Sequence, residues 1–157
     1  MNGDSHEAFM REALAEAMLA FQEEEVPIGA VVVKDGVVVA RAHNRREEEH
    51  DATAHAEILA IRQAGQALGD WRLEGCSLYV TVEPCPMCAG ALVQSRIEHV
   101  IYGAADPKAW ADRSLTEIVQ NPGLNHRMDV TAGVLAEECR QVMVSFFRSR
   151  RKSRSEA

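Results

Sequence analysis

A chain of 157 residues is about one domain long and can bury a sizeable core, since 46% of it is hydrophobic. No apolar run approaches the ~20 residues needed to span a membrane. The polar, acidic start from Met1 to Arg11 lacks a secretion signal's apolar segment, and the net charge of −7 argues against general affinity for nucleic acid.

Taken in chain order, Glu7–Phe21 is rich in Ala and Leu at helical spacing and predicts a first helix. Ile28–Lys34 and Val37–Ala42 are apolar, β-branched runs joined at Asp35-Gly36, a favoured type I′ turn, so they predict an antiparallel hairpin. Ala54–Leu68 predicts a helix ending near Gly69. Ser77–Val82 predicts a strand, Pro86–Ser95 a helix and His99–Gly103 a strand. Asp112–Gln120 predicts a short helix broken at Asn121-Pro122-Gly123, Asp129–Thr131 a weak strand, and Val134–Arg151 the last helix. Strands alternating with helices in the second half call for parallel pairing, and the hairpin makes the sheet mixed. The expectation is an α/β sandwich in a single domain over 1–157.

Two short clusters carry the chemistry: His55-Ala56-Glu57 and, after 26 residues, Pro84-Cys85-Pro86-Met87-Cys88. One His and two Cys fill three corners of a tetrahedral Zn²⁺ site and leave the fourth for water. Structural zinc sites usually close all four corners with protein, so three ligands beside an acid point to catalysis. Zinc lowers the pKa of its water towards neutrality. Cys85 and Cys88 lie at i and i+3, on one face of a helix, and a helix N-terminus favours thiolate. His55 and Glu57, at i and i+2, do not share a face, which suits two jobs: metal binding by one and proton transfer by the other. A lone C-x-x-C also occurs as a redox pair or as half of a zinc ribbon. No second C-x-x-C follows, which disfavours the ribbon. Cys76 and Cys139 read as ordinary buried thiols, and a reducing, cytoplasmic setting fits best.

The charge is unevenly spread. From Phe146 onward, five basic residues (Arg148, Arg150, Arg151, Lys152, Arg154) stand against Glu156 alone, so this helix end at about 146–157 carries +4 and the rest of the chain −11. Such a cluster can neutralise phosphates locally, or it can be a solvated helix end.

The two clusters match the H-x-E…P-C-x-x-C pattern of zinc nucleobase deaminases. Further segments run nearly end to end: Val26-Pro27-Ile28-Gly29-Ala30-Val31, His43-Asn44, Trp71-Arg72-Leu73, Leu78 to Ala91, Ser95-Arg96-Ile97, Asp106-Pro107-Lys108, Leu124-Asn125-His126 and Phe146-Phe147-Arg148. On these the chain resembles the bacterial tRNA-specific adenosine deaminases, of the cytidine-deaminase-like fold. The zinc motif carries only the superfamily; the Asp-Pro-Lys, Asn-His and Phe-Phe-Arg segments carry the tRNA branch.

The resemblance implies a three-layer α/β/α sandwich around a mixed sheet of about five strands. It also implies a homodimer that converts a wobble adenosine to inosine in a tRNA anticodon stem-loop. His55, Cys85 and Cys88 would hold one zinc per chain and Glu57 would shuttle protons. Asn44 would lie near the nucleoside, Ala30 and Val31 would line the base pocket, and Asp106 would face the flipped nucleotide. Asn125 and His126 would contact the anticodon loop. Phe147 would offer a stacking face, and Arg148, Arg150 and Arg151 would grip phosphates. One segment departs from the family pattern: after Lys108 the family runs through small residues, whereas this chain has Ala109-Trp110-Ala111-Asp112-Arg113. The alternatives are a free guanine- or cytosine-type deaminase on the same fold and a non-enzymatic zinc-stabilised partner subunit. Glu57 disfavours the latter.

Overall fold

A computed structural model describes the backbone of residues 3–111 and 113–156. In chain order it contains α1 (Gly3–Gln22), β1 (Gly29–Lys34), β2 (Val37–His43), α2 (Arg46–Glu49), α3 (Ala56–Leu68), β3 (Cys76–Val82) and α4 (Pro86–Gln94). Then come β4 (His99–Ala104), α5 (Pro107–Trp110), α6 (Thr116–Val119), β5 (Asp129–Thr131) and α7 (Ala136–Glu156). Among the described residues no helix is long and apolar enough to cross a membrane.

The five strands form one sheet in the order β2-β1-β3-β4-β5. β1 pairs antiparallel with β2 and β3, whereas β3–β4 and β4–β5 are parallel. The mixed sheet expected from the sequence is therefore present. Asp35 and Gly36 both have positive φ (52° and 76°), as a type I′ turn requires, and they place Lys34 opposite Val37.

Alternation along β1 divides the core. Ala30 and Val32 face a cluster built with Ala56, Ala60, Leu78, Val80, Ala89 and Leu92, under α3 and α4. Val31 and Val33 face a second cluster with Met10, Ala13, Tyr79, Ile101 and Cys139, under α1 and α7. Two helical layers thus enclose the sheet. α1 lies so close to β1 that a Cβ on Gly29 would strike the backbone of Ala13 and Ala17.

The single helix expected over Asp112–Gln120 is not formed; the region holds two one-turn helices, α5 before it and α6 within it. α5 stops where Ala111 turns back with φ 56°, and the helix expected after it is cut short because the Leu115 N–H is taken by Glu83 Oε2 at 2.9 Å. Asp112 lies outside the described residues. α2 has no counterpart among the expected elements. Its first turn forms because the buried Glu25 accepts the N–H groups of Glu47 (3.1 Å) and Glu48 (2.8 Å).

Candidate metal and nucleotide site

The chemistry collects where β3 and β4 end. His55 is the N-cap of α3 and Cys85 the N-cap of α4, yet neither side chain caps its own helix. In α3 the task falls to Asn44, whose Oδ1 accepts the Ala56 N–H at 2.8 Å. The imidazole is thereby released for another role. In α4, Pro86 occupies the first turn, where its missing N–H costs little.

His55 Nδ1 lies 3.7 Å from Cys85 Sγ and 3.5 Å from Cys88 Sγ, and the three donor atoms all fall within 4.8 Å of one another. Zinc at its usual distances from nitrogen and sulfur, in tetrahedral geometry, needs an N–S separation of about 3.6 Å. Both N–S separations match that requirement, so the three residues fit such an ion. The Cys88 hydrogen bond, followed by that of His55, holds the Cys85 thiol down at about 4. The bond to Cys85, with burial, pushes Cys88 in the opposite direction.

Glu57, the second residue of α3, is only 3% exposed, and its Oε1 has no hydrogen-bond partner among the described residues. Burial pushes its carboxyl up to about 7, and the nearby His55 charge only partly offsets this. A buried carboxyl with an unused oxygen, beside three metal donors, has the makings of a proton carrier.

The loop before Cys85 is pinned from two sides. Glu83 is buried, and its two oxygens accept the N–H groups of Asp106 (3.1 Å) and Leu115 (2.9 Å). Trp110 is buried too, and its indole N–H donates to the Pro84 carbonyl at 2.8 Å. The bulky departure in the sequence is thus an anchor that ties the 106–115 segment to the metal loop. Asp106 begins that segment and caps α5 by accepting the Ala109 N–H at 3.3 Å.

Two cavities flank the C-terminal helix. One, of about 360 Å³, is lined by Asn44, Val26, Phe146, Phe147, Arg150 and Arg151 among others; none of the three metal donors lines it. The second, of about 330 Å³, is lined by Asp106, Lys108, Arg140, Met143, Phe147 and Arg151 among others. Phe147 and Arg151, at i and i+4, border both. Arg148 is exposed and lines neither.

Several expected site residues fall elsewhere. Ala30 and Val31 are both fully buried on opposite faces of β1, so they cannot line one base pocket together. Ala30 belongs to the layer that carries the metal donors, whereas Val31 packs under α1 and α7, on the far side of the sheet. Val26, just before the strand, borders the first cavity instead. Asn125 is exposed, and His126 bonds the Ile97 carbonyl through Nε2 at 2.6 Å. Ile97 precedes β4, whereas Asp106 follows it. The six-residue strand, roughly 20 Å long, therefore separates Asn125 and His126 from the metal end of their own chain. Sequence reasoning assigns no role to Glu83 or to His43. The available signal for Glu83 is a charged residue closing an apolar strand.

A family model for MafB19-like deaminases matches residues 4–151. The tRNA-specific adenosine deaminase of Bacillus subtilis (strain 168) is 52% identical over 151 residues, covering 96% of this chain and 94% of that protein. The protein of the same name from Agrobacterium fabrum is 49% identical over 143 residues, covering 91% and 94%. A solved structure from a study of A-to-I editing by tRNA deaminases at the wobble position superposes with a TM-score of 0.81 and 49% identity, covering 86% of this chain and 98% of that one.

Proposed function

The chain belongs to the family of tRNA-specific adenosine deaminases, and on that premise we propose that it hydrolyses adenosine to inosine and ammonia at the wobble position of a tRNA anticodon. The observation that carries this reading is the buried Glu57, with one oxygen unbonded, set beside the His55–Cys85–Cys88 donors.

Bound by those three residues, zinc would supply a water activated at neutral pH. Glu57 takes a proton from the attacking water and hands protons to the ring nitrogen and the departing ammonia. Its burial keeps bulk water from competing for them. Asn44 spends its Oδ1 on α3, which orients its NH₂ group as a donor for the nucleoside. The target base must leave its stack to reach so enclosed a centre. Phe147, 43% exposed, offers a face for a neighbouring base, while Arg150 and Arg151 meet phosphates beside it. Asp106 faces the second cavity. The free thiols Cys76 and Cys139 suit a reducing cytoplasm. Homodimerisation belongs to the same reading, supported by the exposed Met87 and the open space above Gly90, three residues apart on α4.

The test is turnover. Zinc-loaded protein is incubated with an anticodon stem-loop carrying a wobble adenosine and, separately, with free adenosine, cytidine and guanine. Inosine should form in the stem-loop far faster than any free compound is deaminated. Preference for free guanine or cytidine would replace this reading. X-ray absorption of the loaded protein should show two sulfurs and one nitrogen from the chain. His55→Ala and Cys88→Ala should lose metal and activity together.

A further inference from the structure

β2 ends on His43, whose imidazole lies between two carboxylates of the first helix and the turn after it. Nδ1 is 3.0 Å from Glu16 Oε1 and Nε2 is 2.9 Å from Glu23 Oε2. Glu16 and Glu23 are seven residues apart, two helical turns, and so point the same way. A carboxylate only accepts hydrogen bonds, so both ring nitrogens must carry hydrogen for both bonds to exist. The geometry therefore describes an imidazolium, on a residue only 9% exposed.

The next residue is Asn44. Its N–H donates to the Ile28 carbonyl at 3.2 Å, and its Oδ1 holds the Ala56 N–H at the start of α3. His55 and Glu57 flank Ala56. A short covalent and hydrogen-bonded path thus joins the Glu16 and Glu23 carboxylates, through His43 and Asn44, to the metal ligand and the proton carrier. We propose that His43, held as an imidazolium by Glu16 and Glu23, is a positioning residue that fixes Asn44 for the deamination reaction, which makes turnover depend on a proton bound outside the active site. This inference rests on the deaminase reading above.

The electrostatics agree. Burial works against charge on His43, but the hydrogen bonds to Glu16 and then Glu23 outweigh it, and its pKa is raised above the ordinary 6.5. The other charged groups around the ring are Arg41 on β2, Arg45 and Glu49 at the ends of α2, and Arg62 on α3. Arg41 is paired with Glu12 at 2.8 Å, and Arg45 with Glu48 (2.9 Å) and Glu49 (3.0 Å). Glu16 and Glu23 are the groups at bonding distance. As pH rises through the raised pKa, the ring loses a proton and one of the two bonds, and the part of the restraint on Asn44 that comes through His43 loosens.

The experiment is the pH profile of kcat and KM for stem-loop deamination, with zinc content measured for each protein. His43→Gln should lower kcat by about ten- to hundredfold, as small misplacements near a reacting centre do, with KM and zinc content little changed. His43→Arg keeps a charge that does not titrate, and the open cavity of about 410 Å³ beside His43 gives the longer side chain room. It should restore activity and flatten the alkaline limb. Glu23→Gln alters the more exposed partner and should shift that limb to lower pH. A His43→Gln enzyme with wild-type kcat, or an alkaline limb unmoved in Glu23→Gln, overturns the proposal. Failure of the deaminase reading is distinct: the wild-type enzyme would then be inactive on the stem-loop at every pH.

Discussion

The segment that carries Glu57 and the segment that carries Glu83 are built alike. Each places a buried carboxyl group two residues from a member of the candidate metal triad, His55 in one case and Cys85 in the other. They differ in how the oxygens are used. Glu83 spends both on backbone N–H groups of a neighbouring segment, while Glu57 keeps one without a partner among the described residues. Burial alone therefore does not mark a reactive acid. A satisfied carboxylate is a staple, and an unsatisfied one awaits something that is not part of the chain.

Removing the acid from each segment in turn separates the two roles. Glu57→Gln preserves shape and should keep one equivalent of zinc. Its kcat should fall by ~10²–10⁴-fold or more, because a shuttle used more than once has no substitute. Single-turnover measurement beside metal analysis checks both halves. Near-normal turnover would erase the distinction between the two segments.

Glu83→Ala should act through the fold instead. It leaves the Asp106 and Leu115 N–H groups without their acceptor, at about 1–3 kcal/mol for each that stays buried. Urea unfolding should report that loss, and kcat of the remaining folded enzyme should fall far less than in Glu57→Gln. Trp110→Phe is the milder version. It keeps an aromatic ring and removes one donor from the Pro84 carbonyl, which should cost about 1–2 kcal/mol. Zinc should also exchange faster against a chelator, because the loop ahead of Cys85 is less firmly held.

What could be read from the chain follows the range of the interactions involved. Asp35-Gly36 specifies its own turn, and the spacing of Cys85 and Cys88 specifies one face of one helix. Both are local matters. The meeting of His55 with those sulfurs spans about thirty residues, and is legible only because the cluster pattern resembles a known family's. Ala30 and Val31 cannot share a pocket because adjacent strand residues face opposite ways, a rule available from the sequence. The distance of Asn125 and His126 from the metal end has a less accessible reason: which end of the sheet a loop reaches depends on topology. Trp110 reads only as a departure from the family's small residues, because nothing in its neighbourhood announces the distant Pro84 carbonyl it bonds.

The cations of α7 differ from one another in the same way, by what their positions let them meet. Arg151 borders both cavities, while Arg148, on the same helix end, borders neither. Their charges are equal, so only position separates them. If the cavities receive the RNA backbone, Arg151→Ala should lower the slope of log affinity against log salt by roughly 0.7, the value of one single-strand phosphate contact. Arg148→Ala should leave the slope unchanged. Titrations of the anticodon stem-loop at several salt concentrations measure both. Equal losses from the two variants would mean that the RNA follows the whole basic helix end rather than its cavity-facing side. No loss from either would place the RNA away from α7, and the two cavities would then need another occupant.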